Sequence, residues 1–131
     1  MKIHAIRLTK GMDLKESIQS YCQEKHIVAG TVLSGVGCVS EACVRNAGGI
    51  KSIRIEKNLE IVSLMGTISQ NGLHLHISLS DEDLKTIGGH LKEGCIVNTT
   101  AEIVIGEFEE YLFSREMDES TGYKELVIKT K

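Results

Sequence analysis

Hydrophobic and polar residues alternate strictly along one stretch of the chain, Leu73–Leu79. Leucine or isoleucine occupies each odd-numbered position, while the even-numbered positions hold His74, His76 and Ser78. Because successive side chains of a β-strand point to opposite faces, the alternation predicts a strand with one apolar and one polar face. The apolar face suits a core, and the polar face presents two imidazoles on the same side.

The run Leu59–Ser69 is the predicted hairpin partner of this strand. Asn71-Gly72 separates the two runs, and this dipeptide is a strong signal for a two-residue type I′ turn. Pairing outward from that turn sets Ser69 opposite His74, and each further pair follows in step. In this register the apolar residues of both strands share one face.

Five other stretches show the alternation, or the β-branched and small residues, that favour strands. They are Ile3–Leu8, Val28–Val44, Ile50–Ile55, Thr99–Phe113 with a break near Gly106–Glu110, and Tyr123–Lys129. Gly35 and Gly37 do not continue into the GxGxxG spacing of a dinucleotide site. These glycines and Gly30 are instead expected to permit bulges and close backbone approach, either within the sheet or between subunits. His4, in the first stretch, is expected to serve ordinary structure.

Helical periodicity is clear in one region, from Leu14 to about Lys25, where apolar residues recur at helical intervals. Asp13 is the predicted N-cap, with Glu16 three residues on at the capping-box spacing. A short second helix is expected to begin at Ser80–Asp83, whose carboxylates suit the positive N-terminal end of a helix. Gly88-Gly89 should then break the chain into a loop, because each glycine inside a helix costs about 1 kcal/mol relative to alanine.

Together these elements predict an α/β (α+β) fold, mainly an antiparallel β-sheet flanked by few helices, with the Asp13–Lys25 helix across the sheet. The 131 residues are expected to form a single domain, residues 1–131, because domains most often contain about 100–150 residues. No internal repeat or linker divides the sequence.

Composition and charge narrow the range of functions that the protein can have. The formal net charge is −3 and only 4% of residues are aromatic, so neither a domain-wide cationic field nor a base-stacking platform is expected. No run approaches the ~18 apolar residues of a membrane span, and the amino terminus lacks a signal-peptide core. We therefore expect a cytoplasmic protein that does not enter a membrane. Its four scattered cysteines are expected to be reduced and mostly buried.

Three histidines are the candidate functional residues. Residues two apart on one strand face have Cα atoms ~6–7 Å apart, from which the imidazoles of His74 and His76 can converge. Gly88-Gly89 offers a flexible approach for His90 as a third ligand. We predict one divalent metal ion, with zinc preferred, and a fourth position open for water or another ligand. The alternative is a half-exposed polar face whose histidines bond to Thr67 or Ser69, with His90 capping a turn.

Four blocks in this order resemble the PPC domain ("plants and prokaryotes conserved") in its single-domain prokaryotic form. They are Thr31–Gly37, Leu59–Ile68, Leu73–Ser78 with Asp81, and Gly88–Leu91. The resemblance runs from about Ile6 to Ile128 and implies a largely antiparallel sheet that associates as a homotrimer. Prokaryotic members with the same histidine pattern resemble metal-containing proteins. The plant members are DNA-binding regulators with AT-hooks, and this chain has no Arg-Gly-Arg core.

Three functions follow from these observations. The first is a small trimeric cytoplasmic protein with a zinc site, non-catalytic or of undetermined activity. The second is a DNA-binding transcriptional regulator, for which weak, non-specific DNA binding at most is expected. The third is a metal-dependent hydrolase, whose general base would come from the nearby carboxylates Asp81, Glu82, Asp83 or Glu93. None of these has HExxH-type spacing, so we rank the enzyme last and name no catalytic residue.

Overall fold

A computed structural model describes residues 1–131 as nine strands and one helix. The elements are β1 Lys2–Thr9, α1 Leu14–Glu24, β2 Ala29–Arg45, β3 Ser52–Ile55, β4 Leu59–Ser69, β5 Gly72–Ser80, β6 Thr86–Leu91, β7 Ile96–Glu107, β8 Tyr111–Asp118 and β9 Tyr123–Thr130. All strand pairs are antiparallel. The predicted fold class is therefore confirmed, with a single helix.

Seven strands form one sheet in the order β1-β7-β2-β4-β5-β6, with β3 on the far end of β2, while β8 and β9 form a separate hairpin. Strand β6 also pairs with the end of β2 through Val44↔Leu91 and Arg45↔His90. Strands β2, β4, β5 and β6 therefore close into a ring. The break predicted near Gly106–Glu110 is present, since β7 ends at Glu107 and β8 begins at Tyr111.

The core lies on the face of the sheet that the alternation assigned to apolar residues. Leu75, Ile77 and Leu79 of β5 are at most 3% exposed. Helix α1 adds Leu14, Ile18 and Cys22 to the same cluster. Burial of such side chains is the main driving force for folding, so the strict alternation of β5 follows from its position between the core and the more exposed outer face of the sheet.

The predicted helix has the predicted cap. The side chain of Asp13 accepts a hydrogen bond from the backbone N–H of Glu16 at 3.0 Å, and its other oxygen accepts one from Gly94 at 2.8 Å. Helix N-termini leave four N–H groups without partners, so Asp13 both starts the helix and ties it to the loop before β7. The helix is neither long nor apolar enough to cross a bilayer.

Strand β2 is bent, as its glycines predicted. Its pairing with β7 shifts register between Val32 and Ser34 and twice more before Glu41. A Cβ atom on Gly30 would lie 2.7 Å from the carbonyl oxygen of Gly106. Close backbone approach within the sheet therefore explains this glycine.

Two local predictions were wrong. The β4–β5 hairpin pairs Ser69 with Gly72 and Thr67 with His74, so its turn is Gln70-Asn71 and each partner lies two residues from the predicted one. The faces are unchanged, because a shift of two residues keeps every side chain on its face.

No helix begins at Ser80–Asp83, where the structure has a tight turn. The Asp81 carboxylate accepts hydrogen bonds from the backbone N–H groups of Asp83 and Lys85, which closes the turn and sends the chain back along β5. Gly88-Gly89 consequently lies inside strand β6 and not in a loop. Asx-type turns compete with helix formation in this way.

The four cysteines form no disulfide, and all except Cys38 are buried. Burial raises the pKa of the Cys22 and Cys95 thiols to about 11. A thiol is nucleophilic and binds metals as the thiolate, so these two cysteines are structural.

Candidate metal centre

The structure brings His74, His76 and His90 together on the outer face of the sheet. Strand pairing places His90 of β6 directly opposite His76 of β5, and His74 lies two residues along on the same face. The ring centroids are 5.1 Å apart for His74 and His76, 5.3 Å for His74 and His90, and 5.8 Å for His76 and His90. One ring nitrogen from each lies within 4.8 Å of the others.

This spacing is close to that of a metal site. Zn–N bonds of about 2.0–2.1 Å at tetrahedral angles place ligand nitrogens about 3.3–3.4 Å apart, within about 1.5 Å of the spacing here. No other group of three or more histidine, cysteine or carboxylate side chains clusters in this way.

The hydrogen bonds around the cluster fit a metal better than the polar-face alternative. The side chain of Thr67 accepts a hydrogen bond from Arg115 at 2.9 Å, and that of Ser69 donates to the carbonyl of Gly72. Neither bonds to a histidine, and His90 lies in a strand and caps no turn. The Nδ1 atom of His90 is buried without a partner, although buried polar atoms are normally satisfied. The donor set therefore fits a metal ion.

The surroundings also favour the neutral form of two imidazoles. Burial, followed by the positive charge of Arg45, lowers the pKa of His90 to about 4. Burial, followed by the charge of Arg115, lowers the pKa of His74. Neutral imidazole is the form that binds metals, so both side chains are in the ligating state at neutral pH.

The carboxylates considered as general bases lie elsewhere. Asp81 forms an ion pair with Lys57 at 3.0 Å in the β5–β6 turn, and Glu93 pairs with Lys15 at 3.2 Å. Glu82 and Asp83 are exposed in the same turn as Asp81. None of the four joins the histidine cluster, so the geometry gives the hydrolase hypothesis no base from this set.

A cleft next to the cluster contains residues that the sequence analysis missed. Arg45, Arg115, Lys124 and Glu125 line it together with His74 and His90. They come from β2, β8 and β9, which are far apart along the chain. A single charged residue within a strand carries no sequence signal of its own, so no local pattern could have grouped them.

His4 is structural, as expected. Its Nδ1 lies 2.9 Å from the hydroxyl of Tyr21, and its Nε2 lies 2.8 Å from a carboxylate oxygen of Glu107. The side chain is 7% exposed. These contacts join α1 to the edge of the sheet, and they satisfy both ring nitrogens without a metal.

Comparison with known proteins links these features to a family. The sequence profile of the Plants and Prokaryotes Conserved (PCC) domain matches residues 1–109. That range includes all three histidines and Arg45, whereas the β8–β9 hairpin follows it.

Solved structures share the whole fold. A hypothetical protein from Salmonella enterica superposes with a TM-score of 0.96 at 32% identity, covering 99% of this chain and 94% of that one. A candidate DNA-binding protein from Bacteroides thetaiotaomicron has a TM-score of 0.87 at 25% identity, covering 95% and 91%. A metal-containing protein from Archaeoglobus fulgidus has a TM-score of 0.80 at 27% identity, covering 97% and 94%.

Curated relatives include the bifunctional protein GlmU from Synechococcus sp. strain JA-3-3Ab, which is 41% identical over 128 residues. The match covers 98% of this chain and 21% of that protein. The chain thus spans about a fifth of the length of the curated relatives it matches.

Proposed function

This chain belongs to the Plants and Prokaryotes Conserved domain family, and we propose that it binds one divalent metal ion, preferably zinc, through His74, His76 and His90. The observation that carries the proposal is the convergence of the three ligand atoms within 4.8 Å of one another. Imidazole suits zinc among the common divalent ions, and three protein ligands leave a fourth position for water or another ligand. A similar fold in a metal-containing protein from Archaeoglobus fulgidus supports the proposal.

We also propose that the protein is a homotrimer and that it is located in the cytoplasm. Several large apolar side chains are more than 40% exposed on the isolated chain, among them Ile3, Leu33, Val36, Val62 and Met65. Contiguous apolar surface marks subunit interfaces, and assembly would cover these side chains; the number three rests on the resemblance to the PPC family. Light scattering should give three times the mass of the chain, and a monomer at micromolar concentration would contradict this part of the proposal. Free cysteines fit a reducing compartment.

The experiment is the metal content of the purified, untagged protein. We expect about one zinc per chain, and the substitution His76→Ala should abolish stoichiometric zinc. Because His76 is exposed, its loss should leave the fold intact, which circular dichroism checks. His26→Asn is the matched control, since it removes an imidazole outside the cluster and asparagine tolerates the positive φ of 55° at that position. Full metal content in His76→Ala, or a wild type that takes up no metal, would refute the site.

DNA binding is the second candidate function. It is favoured by the similar fold of a candidate DNA-binding protein from Bacteroides thetaiotaomicron. The net charge of −3 supplies few cations for counterion release, so any affinity should be weak and lack sequence preference. An anisotropy titration at physiological salt tests this, and sub-micromolar, sequence-selective binding would place this function first.

A further inference from the structure

An open cleft of about 390 Å³ adjoins the histidine cluster. Its walls come from both parts of the molecule: Arg45 and the histidines belong to the main sheet, and Arg115, Lys124 and Glu125 belong to the β8–β9 hairpin. Sites for small molecules commonly have volumes of about 300–1,000 Å³. The cleft is therefore large enough for a metabolite.

The cleft concentrates positive charge in a chain whose net charge is negative. Arg45, Arg115 and Lys124 line it against one carboxylate, Glu125. The guanidinium groups of Arg45 and Arg115 form no ion pair. The four ion pairs of the structure all involve other cations. The Arg115 side chain donates only to the hydroxyl of Thr67, which leaves most of its five N–H donors available.

The unsatisfied atoms of the structure lie on residues of this same cleft. Only two buried side-chain nitrogen or oxygen atoms lack a hydrogen-bond partner, and they are Nε of Arg45 and Nδ1 of His90. Buried donors are rarely left without a partner. The candidate metal already accounts for Nδ1 of His90, whereas Nε of Arg45, on the residue paired with His90 across β2 and β6, is a donor that an anionic ligand would satisfy.

We propose that this cleft binds a small oxyanion, namely a carboxylate or phosphate group carried by a metabolite, through the guanidinium groups of Arg45 and Arg115 beside the histidine cluster. Guanidinium groups bind both kinds of oxyanion through paired hydrogen bonds. The inference rests on the proposed function only for the metal's contribution to affinity, because the arginine contacts exist without a metal. The ligand would lie between the main sheet and the β8–β9 hairpin, which supplies Arg115.

The test measures anion binding by titration calorimetry at constant ionic strength, with inorganic phosphate and malonate as probes. The wild type is titrated both zinc-loaded, without free zinc, and zinc-free. Arg45→Met and Arg115→Met remove the two guanidinium groups, and Arg54→Met removes an exposed arginine that pairs with Glu41 outside the cleft. Zinc content and thermal unfolding are measured for each variant.

We expect the wild type to bind at least one probe, and the preferred probe identifies the carboxylate or the phosphate class. Arg45→Met and Arg115→Met should each weaken binding by about tenfold or more, as expected for losing hydrogen bonds to a charged group, while Arg54→Met leaves it unchanged. Binding of neither probe, or equal affinity in wild type and both cleft variants, would overturn the inference.

Failures of the two proposals remain distinguishable. If the protein takes up no zinc, the proposed function fails, and the zinc-free titration decides whether arginine-dependent anion binding exists. If zinc binds normally and no anion does, only the present inference fails. Should a methionine variant not fold, Arg45→Lys and Arg115→Lys replace it. These keep the charge but lose the paired geometry, so undiminished affinity in both would count against the inference.

Discussion

Replacing Gly89 by alanine should disturb both the fold and the histidine cluster. Gly89 lies in β6, and a Cβ atom there would be 2.6 Å from the backbone oxygen of Arg45 in β2. Because that neighbour is backbone, it cannot move aside as a side chain would. Gly89 has no positive φ, so the substitution tests the close approach of the two strands and not backbone strain.

The expected size of the effect follows from that distance. Ordinary contacts begin at 3.4 Å, so β6 and β2 must separate by about 0.8 Å, and overpacking of this kind typically costs about 1–3 kcal/mol. The next residue, His90, must move with the strand. Binding sites need their groups within about 0.5 Å of the productive geometry. We therefore expect zinc affinity to fall by about 10–100-fold, the range found when the support of a metal ligand is lost.

Gly48→Ala is the matched control. A Cβ atom at Gly48 would meet only the side-chain oxygen of the exposed Asn46 at 3.3 Å, so its stability should change by no more than about 0.5 kcal/mol. Both substitutions restrict the unfolded chain alike, and that contribution cancels in the comparison. Urea denaturation at one fixed protein concentration gives stability, and competition with a chelator gives zinc affinity. If Gly89→Ala matches Gly48→Ala in both measurements, the argument from strand spacing is wrong.

Three further outcomes are expected. The first concerns the pH dependence of metal affinity. Between pH 7 and pH 5.5, protonation of one ligating imidazole with the ordinary pKa of ~6.5 lowers metal affinity by about eightfold, and protonation of three such imidazoles lowers it by about 600-fold. His90, with its pKa lowered to about 4, should add almost nothing, and His74, whose pKa is also lowered, should add less than an ordinary imidazole, so a chelator-competition series showing the full loss would contradict the assigned environment. The pKa of His90 is lower in the folded than in the unfolded protein, so the metal-free protein should lose stability as pH falls from about 6.5 to 4. Because His90 is partly exposed, the slope should be well below the limit of ~1.4 kcal/mol per pH unit for one group. Urea denaturation from pH 8 to pH 4 measures this slope, and the contribution of His90 should be constant above pH 7. Tyr21→Phe removes the hydroxyl that meets buried His4 and should cost about 1 kcal/mol in thermal or urea denaturation; an unchanged stability would mean that this contact is not formed in solution.

Local pattern alone determined most elements and the faces of their side chains. The alternation of Leu73–Leu79 placed Leu75, Ile77 and Leu79 in the core and two histidines outside it, as the structure confirms. Asp13 and the apolar spacing after it located the helix. These predictions succeed because side-chain period and capping depend on neighbours within a few residues.

Tertiary structure decided the register, strand β6 and the cleft. The side-chain period of two left the β4–β5 register open to a shift of two residues, since such a shift keeps every face. Gly88-Gly89 disfavours regular structure locally, yet it forms a strand because β5 and β2 lie on either side of it. Arg45 and Arg115 meet His90 only because β2, β6 and the β8–β9 hairpin come together in space. Contacts between residues so far apart in sequence depend on how the whole sheet closes, and no local pattern records them.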